Sequence, residues 1–243
     1  DRAYCEQEFN LTIRDINSNL ELSNKGILSF FEDIGGFQSN EAGLGIKDIE
    51  QTKLSWILLH WKIKVLKNIK YDGNPVKVRT WSRGIKRACC MRDFELYNSN
   101  NELCVIGTSK WTLIHFDKGL VRLTDDLVHK YISDSKSVFG DDFEFKKLCE
   151  PDSYSSIYEY TISRRDLDIN NHMHNTYYLD LAYEALPKDV YENNTFNNFE
   201  IMYKTSALLG EKIKCFYSFT NGEHFVTIKS EDESKLHAII KFY

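Results

Sequence analysis

The sequence predicts an α+β fold of two tandem units, each an antiparallel sheet wrapped round a central helix, and three observations carry that prediction. Two segments with helical patterning are apolar round most of their circumference, and such helices are buried rather than laid on a surface. Each is followed by β-rich runs separated by turn residues. The order of elements in the first half also recurs in the second.

In chain order, Glu6 to Asn17 reads as a strand, and Ser23 or Asn24 caps a helix in which Ile27, Phe30, Phe31, Ile34 and Phe37 keep helical spacing. Gly35-Gly36 marks either the close approach of another backbone or ligand, or the end of that helix. Strands follow at Leu54 to Leu66, Val76 to Ser82, Ala88 to Tyr97 and Leu103 to Phe116. Between them stand Asp72-Gly73-Asn74-Pro75, Arg83-Gly84 and Asn98-Ser99-Asn100-Asn101, all turn chemistry. The chain then turns charged, which sets a first unit over 1–133, a connecting segment over 134–153 and a second unit over 154–243.

In the second unit a strand near Ile157 to Arg164 leads to a helix expected from about Asn171 to Leu186, stopped by Pro187. Its polar positions Thr176, Asp180 and Glu184 fall four apart on one narrow stripe, and apolar residues cover the rest. Phe199 to Lys204, Lys212 to Thr220, His224 to Lys229 and Leu236 to Phe242 complete the sheet. Gly210-Glu211-Lys212-Ile213 answers Gly73-Asn74-Pro75-Val76, and a hairpin at Glu231 to Ser234 answers the one at Asn98. A helix wrapped by a meandering sheet is the hot-dog arrangement, so two in one chain make a double hot-dog.

Composition limits the functions available. With 42% hydrophobic residues, 14% aromatic and only 3 prolines, the chain has the material for a core and no long disordered linker. No apolar run reaches the roughly 18 residues of a membrane helix, and the start, Asp1-Arg2-Ala3-Tyr4, has neither a signal-peptide core nor an Arg/Ser-rich transit segment. A net charge of -5 without a basic block argues against nucleic acid and membrane as partners. The 6 cysteines form no C-x-x-C pair and read as reduced thiols of a cytoplasmic protein. Sequons at Asn10 and Asn193 carry little weight without a secretory signal.

The chemistry concentrates in Asp168-Ile169-Asn170-Asn171-His172-Met173-His174. A calcium loop would need glycine at Asn171 and a carboxylate at Tyr177, and has neither. Zinc held by His172 and His174 would need two residues about 200° apart on a helix to share one ion. The third reading is catalytic. A helix start offers backbone N–H groups to a carbonyl oxygen gaining charge, with Asp, Asn and His within one turn of it. Against that stands an ordinary cap made of the same residue types.

The run Asp166-Leu167-Asp168-Ile169-Asn170-Asn171-His172-Met173-His174-Asn175-Thr176-Tyr177-Tyr178 resembles the signature of the acyl-ACP thioesterases of bacteria and plant plastids, in its D-x-N-x-H core and its flanks. Leu54-Ser55-Trp56-Ile57-Leu58, Val78-Arg79-Thr80-Trp81, Met91-Arg92-Asp93-Phe94 and Ser109-Lys110-Trp111-Thr112-Leu113 resemble further landmarks in the same order. The resemblance implies a double hot-dog enzyme that needs no cofactor and no metal. Its reaction would be hydrolysis of the thioester joining a fatty acyl chain to the phosphopantetheine arm of acyl carrier protein, which ends elongation.

By motif match Asp168, Asn170 and His172 are the catalytic cluster. The sequence departs from the family at Tyr203-Lys204-Thr205-Ser206-Ala207, where Ser206 stands in place of a Glu and Ala207 in place of the Cys that often follows it. Either Asp168 or His172 then activates the water alone, or Ser206 merely holds the water, or the enzyme is slow. This departure keeps open a catalytically weak acyl-carrier binding protein, and the shared phosphopantetheine arm keeps open an acyl-CoA thioesterase. The first half has Asp15-Ile16-Asn17-Ser18-Asn19 before its helix but no His, so one site is expected, with Phe30, Phe31, Phe37 and Trp56 shaping the acyl pocket or filling the core. A carrier-facing basic patch is expected from Arg79, Arg83, Lys86 and Arg87 or from Arg164 and Arg165. Assembly as a homodimer is left open.

Overall fold

The computed structural model describes residues 2–243. The chain folds as two compact units, one comprising the chain up to Leu59 with Ile63–Glu144, the other His60–Lys62 with Phe145–Tyr243. Each is an antiparallel sheet carrying one principal helix, the α+β double hot-dog class.

The first unit holds β1 (Cys5–Phe9), α1 (Asn24–Glu41), the short α2 (Ile49–Thr52), β2 (Leu54–Val65), β3 (Val76–Lys86), β4 (Cys89–Tyr97), β5 (Leu103–His115), β6 (Gly119–Leu120) and the single-turn α3 (Asp125–Val128). Its strand order is β1-β3-β4-β5-β2, with β6 on β5. The opening strand is shorter than its pattern suggests, because Thr12 and Asp15 close a 3-10 turn over Ile13–Asp15. Ser23 caps α1 by accepting the Gly26 N–H at 3.0 Å. The helix runs on through Gly35-Gly36. It ends at Glu41, and Phe37, placed on its buried stripe by spacing, is 45% exposed.

The helix lies close to the sheet at Gly107. The Phe31 ring stacks on Phe94 at 4.7 Å, and a Cβ at Gly107, the cross-strand partner of Phe94, would stand 2.8 Å from Phe31. Gly84 is not a turn but a bulge at φ 81, where the β3–β4 register shifts; the turn itself falls at Arg87 with φ 59. The leading part of the 134–153 segment is a strap on this sheet. Asp134 N donates to Ser82 O at 3.0 Å, the Trp81 indole to Lys136 O at 2.8 Å, and Val138 N to the buried Asp93 carboxylate at 2.9 Å. With α1 on one face and the strap on the other, β4 is buried along nearly its whole length.

The second unit holds β7 (Ser156–Thr161), α4 (Tyr177–Ala185), α5 (Lys188–Asn193), β8 (Asn198–Tyr203), β9 (Lys212–Thr220), β10 (Glu223–Ser230) and β11 (Leu236–Phe242). The order here is β8-β11-β10-β9-β7. Tyr178, Leu179, Leu181, Ala182 and Ala185 bury one side of α4 against β7, β9 and β11. The helix begins at Tyr177, six residues later than the sequence suggested, and Pro187 follows its last turn. The residues expected to open it, Asp168 to Thr176, form a loop.

Candidate active site

The loop is built by side chains that capture backbone amides before a helix can. Asp166, buried at the end of a 3-10 turn over Arg164–Asp166, accepts the Ser163 N–H and the Tyr160 hydroxyl, each at 2.8 Å. Asp168 Oδ1 accepts the N–H groups of Asn170 at 2.8 Å and His172 at 3.1 Å. Its own N–H donates to His172 O at 2.7 Å, and Asn171 N to Asp168 O at 3.1 Å. Asn171 sits at φ 58, the left-handed region that Asn tolerates better than most residues. The result is a tight turn whose flanks, Leu167 and Met173, form an antiparallel bridge.

Helix amides therefore do not face a substrate from residue 171 onward. The N–H groups of Asn170 and His172 already serve the Asp168 carboxylate. Asn170 and His172 themselves are both partly buried, on a frame held by Asp168. His174, beyond the turn, lies against the Tyr177 ring at 4.9 Å. Although the segment is not helical, no group of three His, Cys, Asp or Glu side chains among the described residues converges to hold a metal.

Residues 204–208, which leave β8, lie beside the turn. Met173 N donates to Ala207 O at 2.9 Å, and His172 bridges to Leu208. Ala207 N donates to the Tyr178 hydroxyl at 3.1 Å, and the Tyr203 hydroxyl donates to Asn175 O at 2.9 Å. Ser206 is exposed next to Ala207, so it shares a neighbourhood with Asp168, Asn170 and His172 through backbone pairing. Burial pushes the Tyr178 phenol up to about 12; the Glu211 and Asp168 charges push the same way and the Ala207 N–H opposes. Tyr178 thus stays a neutral phenol at ordinary pH. Its position inside an apolar helix hid it from sequence reasoning, and the only signal was the paired tyrosines at 177 and 178.

Most of the expected basic patch is already engaged. Arg79 pairs with Glu6 at 2.5 Å between the Tyr4 and Tyr97 rings, Arg83 faces buried Asp93 at 3.8 Å, and Lys86 pairs with Glu144 at 3.0 Å. Arg164 and Arg165 adjoin the turn and are exposed; the Arg165 side chain is 85% accessible while its Nε lies 3.8 Å from Asp166 Oδ1.

Comparison with known proteins agrees along the chain. A family model described as the acyl-ACP thioesterase N-terminal domain matches residues 3–131, and one described as the C-terminal domain matches residues 149–242. The chain is 22% identical over 216 residues to oleoyl-acyl carrier protein thioesterase 1, chloroplastic, of Arabidopsis thaliana, covering 82% of this chain and 59% of that protein. It is likewise 22% identical over 216 residues to palmitoyl-acyl carrier protein thioesterase, chloroplastic, of Cuphea hookeriana, covering 84% and 52%. It therefore spans little more than half the length of these curated relatives. Among solved structures, an acyl-ACP thioesterase from Bacteroides thetaiotaomicron superposes with a TM-score of 0.85 at 19% identity, covering 98% of this chain and 96% of that one. The 12:0-ACP thioesterase from Umbellularia californica superposes with a TM-score of 0.83 at 15% identity, with the same coverage.

Proposed function

The chain belongs to the acyl-ACP thioesterase family, and from that premise we propose that it hydrolyses the thioester of a fatty acyl-[acyl carrier protein], releasing the free acid. The observation that supports this reading is the turn at Asp168, whose Oδ1 accepts the backbone N–H groups of both Asn170 and His172, in the region matched by the C-terminal domain model.

In this mechanism His172 takes a proton from water as its oxygen attacks the thioester carbonyl carbon. The carbonyl oxygen becomes an oxyanion, and the Asn170 amide donates to it. Collapse breaks the carbon–sulfur bond, and His172 returns the proton to the departing thiolate. Asp168 orients: its Oδ1 holds the two amides that fix the turn. In this reading the Ser206 hydroxyl holds the water but is no base, which leaves His172 to take the proton.

The serine also favours a second reading, an acyl-carrier binding protein with little turnover. Free-thiol release from a panel of acyl-[acyl carrier protein] and acyl-CoA chain lengths separates the two. The hydrolase reading expects release, faster from the carrier protein than from CoA. Tight binding of acyl carrier protein with no thiol release would establish the binding protein instead.

A further inference from the structure

Residues 204–208 are also held by two residues of the second unit that the mechanism does not use. His237, on β11, is fully buried, and its Nδ1 lies 2.6 Å from Thr205 O. A carbonyl oxygen only accepts, so Nδ1 carries a proton. The remaining ring nitrogen, Nε2, has no hydrogen-bond partner among the described residues and faces Glu211 Oε2 at 3.5 Å. Glu211 is itself tied to the same stretch, donating its N–H to Leu208 O at 3.1 Å and accepting from Ile162 N at 2.9 Å.

The first unit has the same backbone without the pair. Leu66 N donates to Cys104 O at 2.8 Å, as Lys204 N does to His237 O at 2.8 Å. Cys104 therefore occupies the place of His237, and Asn74, after Gly73, occupies that of Glu211. The pair is present only where the Asp-Asn-His turn is.

We propose that Glu211 and His237 form a positioning pair that holds residues 204–208, and with them Ser206 and the Ala207 amide, in register with His172. The acid missing from position 206 is answered by an acid at 211 that acts through the backbone rather than on substrate. The turnover consequence rests on the thioesterase reading, whereas the structural consequence does not.

The test compares wild type with Glu211→Ala and Glu211→Gln, whose amide can still donate to Nε2. Two quantities are read, steady-state hydrolysis of acyl-[acyl carrier protein] and amide hydrogen exchange. Glu211→Ala is expected to lower kcat about tenfold with KM within about twofold, and to speed exchange at Ala207 and Met173 about tenfold. Exchange at Val226, in the middle of β10, should not change, and Glu211→Gln should bring both quantities back to within about threefold of wild type. Wild-type exchange at Ala207 and Met173 in Glu211→Ala overturns the proposal. So does equal acceleration at Val226, which means general loosening, or unchanged kcat in an active enzyme. If wild type releases no thiol but the exchange pattern appears, the thioesterase reading falls and the pair stands.

Discussion

In the first unit Asn17 Oδ1 accepts the N–H groups of Asn19 at 3.0 Å and Glu21 at 3.1 Å, and in the second Asp168 Oδ1 accepts those of Asn170 at 2.8 Å and His172 at 3.1 Å. The two turns agree in further detail. Asn17 N donates to Glu21 O at 2.8 Å as Asp168 N does to His172 O at 2.7 Å, and Leu20 and Asn171 both sit at φ 58. Leu22 N reaches Ile69 O and Met173 N reaches Ala207 O, both at 2.9 Å. One backbone device thus appears twice, and only its cargo differs: Glu21 against His172, Ile27 against Tyr178, Cys104 against His237. The turn is a scaffold, and in the proposed mechanism the chemistry lies in which side chains hang from it.

The widest separation of the two turns comes from their cargo. His172→Ala is expected to lower kcat about a thousandfold, within the usual worth of a general base, while Glu21→Ala leaves it within about twofold. Comparable losses in free-thiol release from both variants would erase the distinction.

Tyr178 gives the next largest effect, read in stability. Its folded pKa of about 12 exceeds the ordinary 10.0, so the folded state holds the phenolic proton more tightly than the unfolded state. That stabilisation is whole below about pH 10 and is lost as pH rises toward about 12, by roughly 2–3 kcal/mol. Chemical denaturation across this range should show wild type losing that much more stability than Tyr178→Phe. Parallel curves would show that the phenol titrates alike in both states.

Gly26 sharpens the contrast from the other side, because the first turn passes directly into its helix. A Cβ there would stand 2.9 Å from Asp15 O and from Leu22 Cδ1. Gly26→Ala should cost about 1–3 kcal/mol and lower Tm by several degrees without altering kcat, since no side chain of the second turn is involved.

The smallest effects concern the shared device. Asp168→Ala removes an acceptor for two amides and should cost about 1–3 kcal/mol. Asp168→Asn, which writes the first turn's residue into the second, should keep stability and hold kcat within about threefold if the carboxylate orients rather than polarises. A hundredfold loss of kcat in Asp168→Asn, measured on folded protein, would assign its charge a direct part.

Much of this was legible in the sequence, and what was not has local causes. The order of helix and sheet was readable from periodicity, because buried stripes and turn residues follow directly from burial and backbone sterics. That Asp168, Asn170 and His172 share one turn was readable because they are confined to one short stretch. The start of α4 was not. A run of Asp and Asn before an apolar segment suits a helix cap, and only tertiary pairing of Met173 and His172 with Ala207 and Leu208 decides that Asp168 closes a turn instead. Phe37 kept the spacing of its helix and still faces outward. Glu211 and His237 lie in separate strand-end segments, and nothing in either segment points to the other.

The central claim is that the second turn alone carries the reaction, with His172 as its base. Its most direct test is free-thiol release from acyl-[acyl carrier protein] by wild type, His172→Ala and Glu21→Ala, each confirmed folded. The account predicts release by wild type and Glu21→Ala and about a thousandfold less by His172→Ala. Release by His172→Ala at the wild-type rate would contradict it.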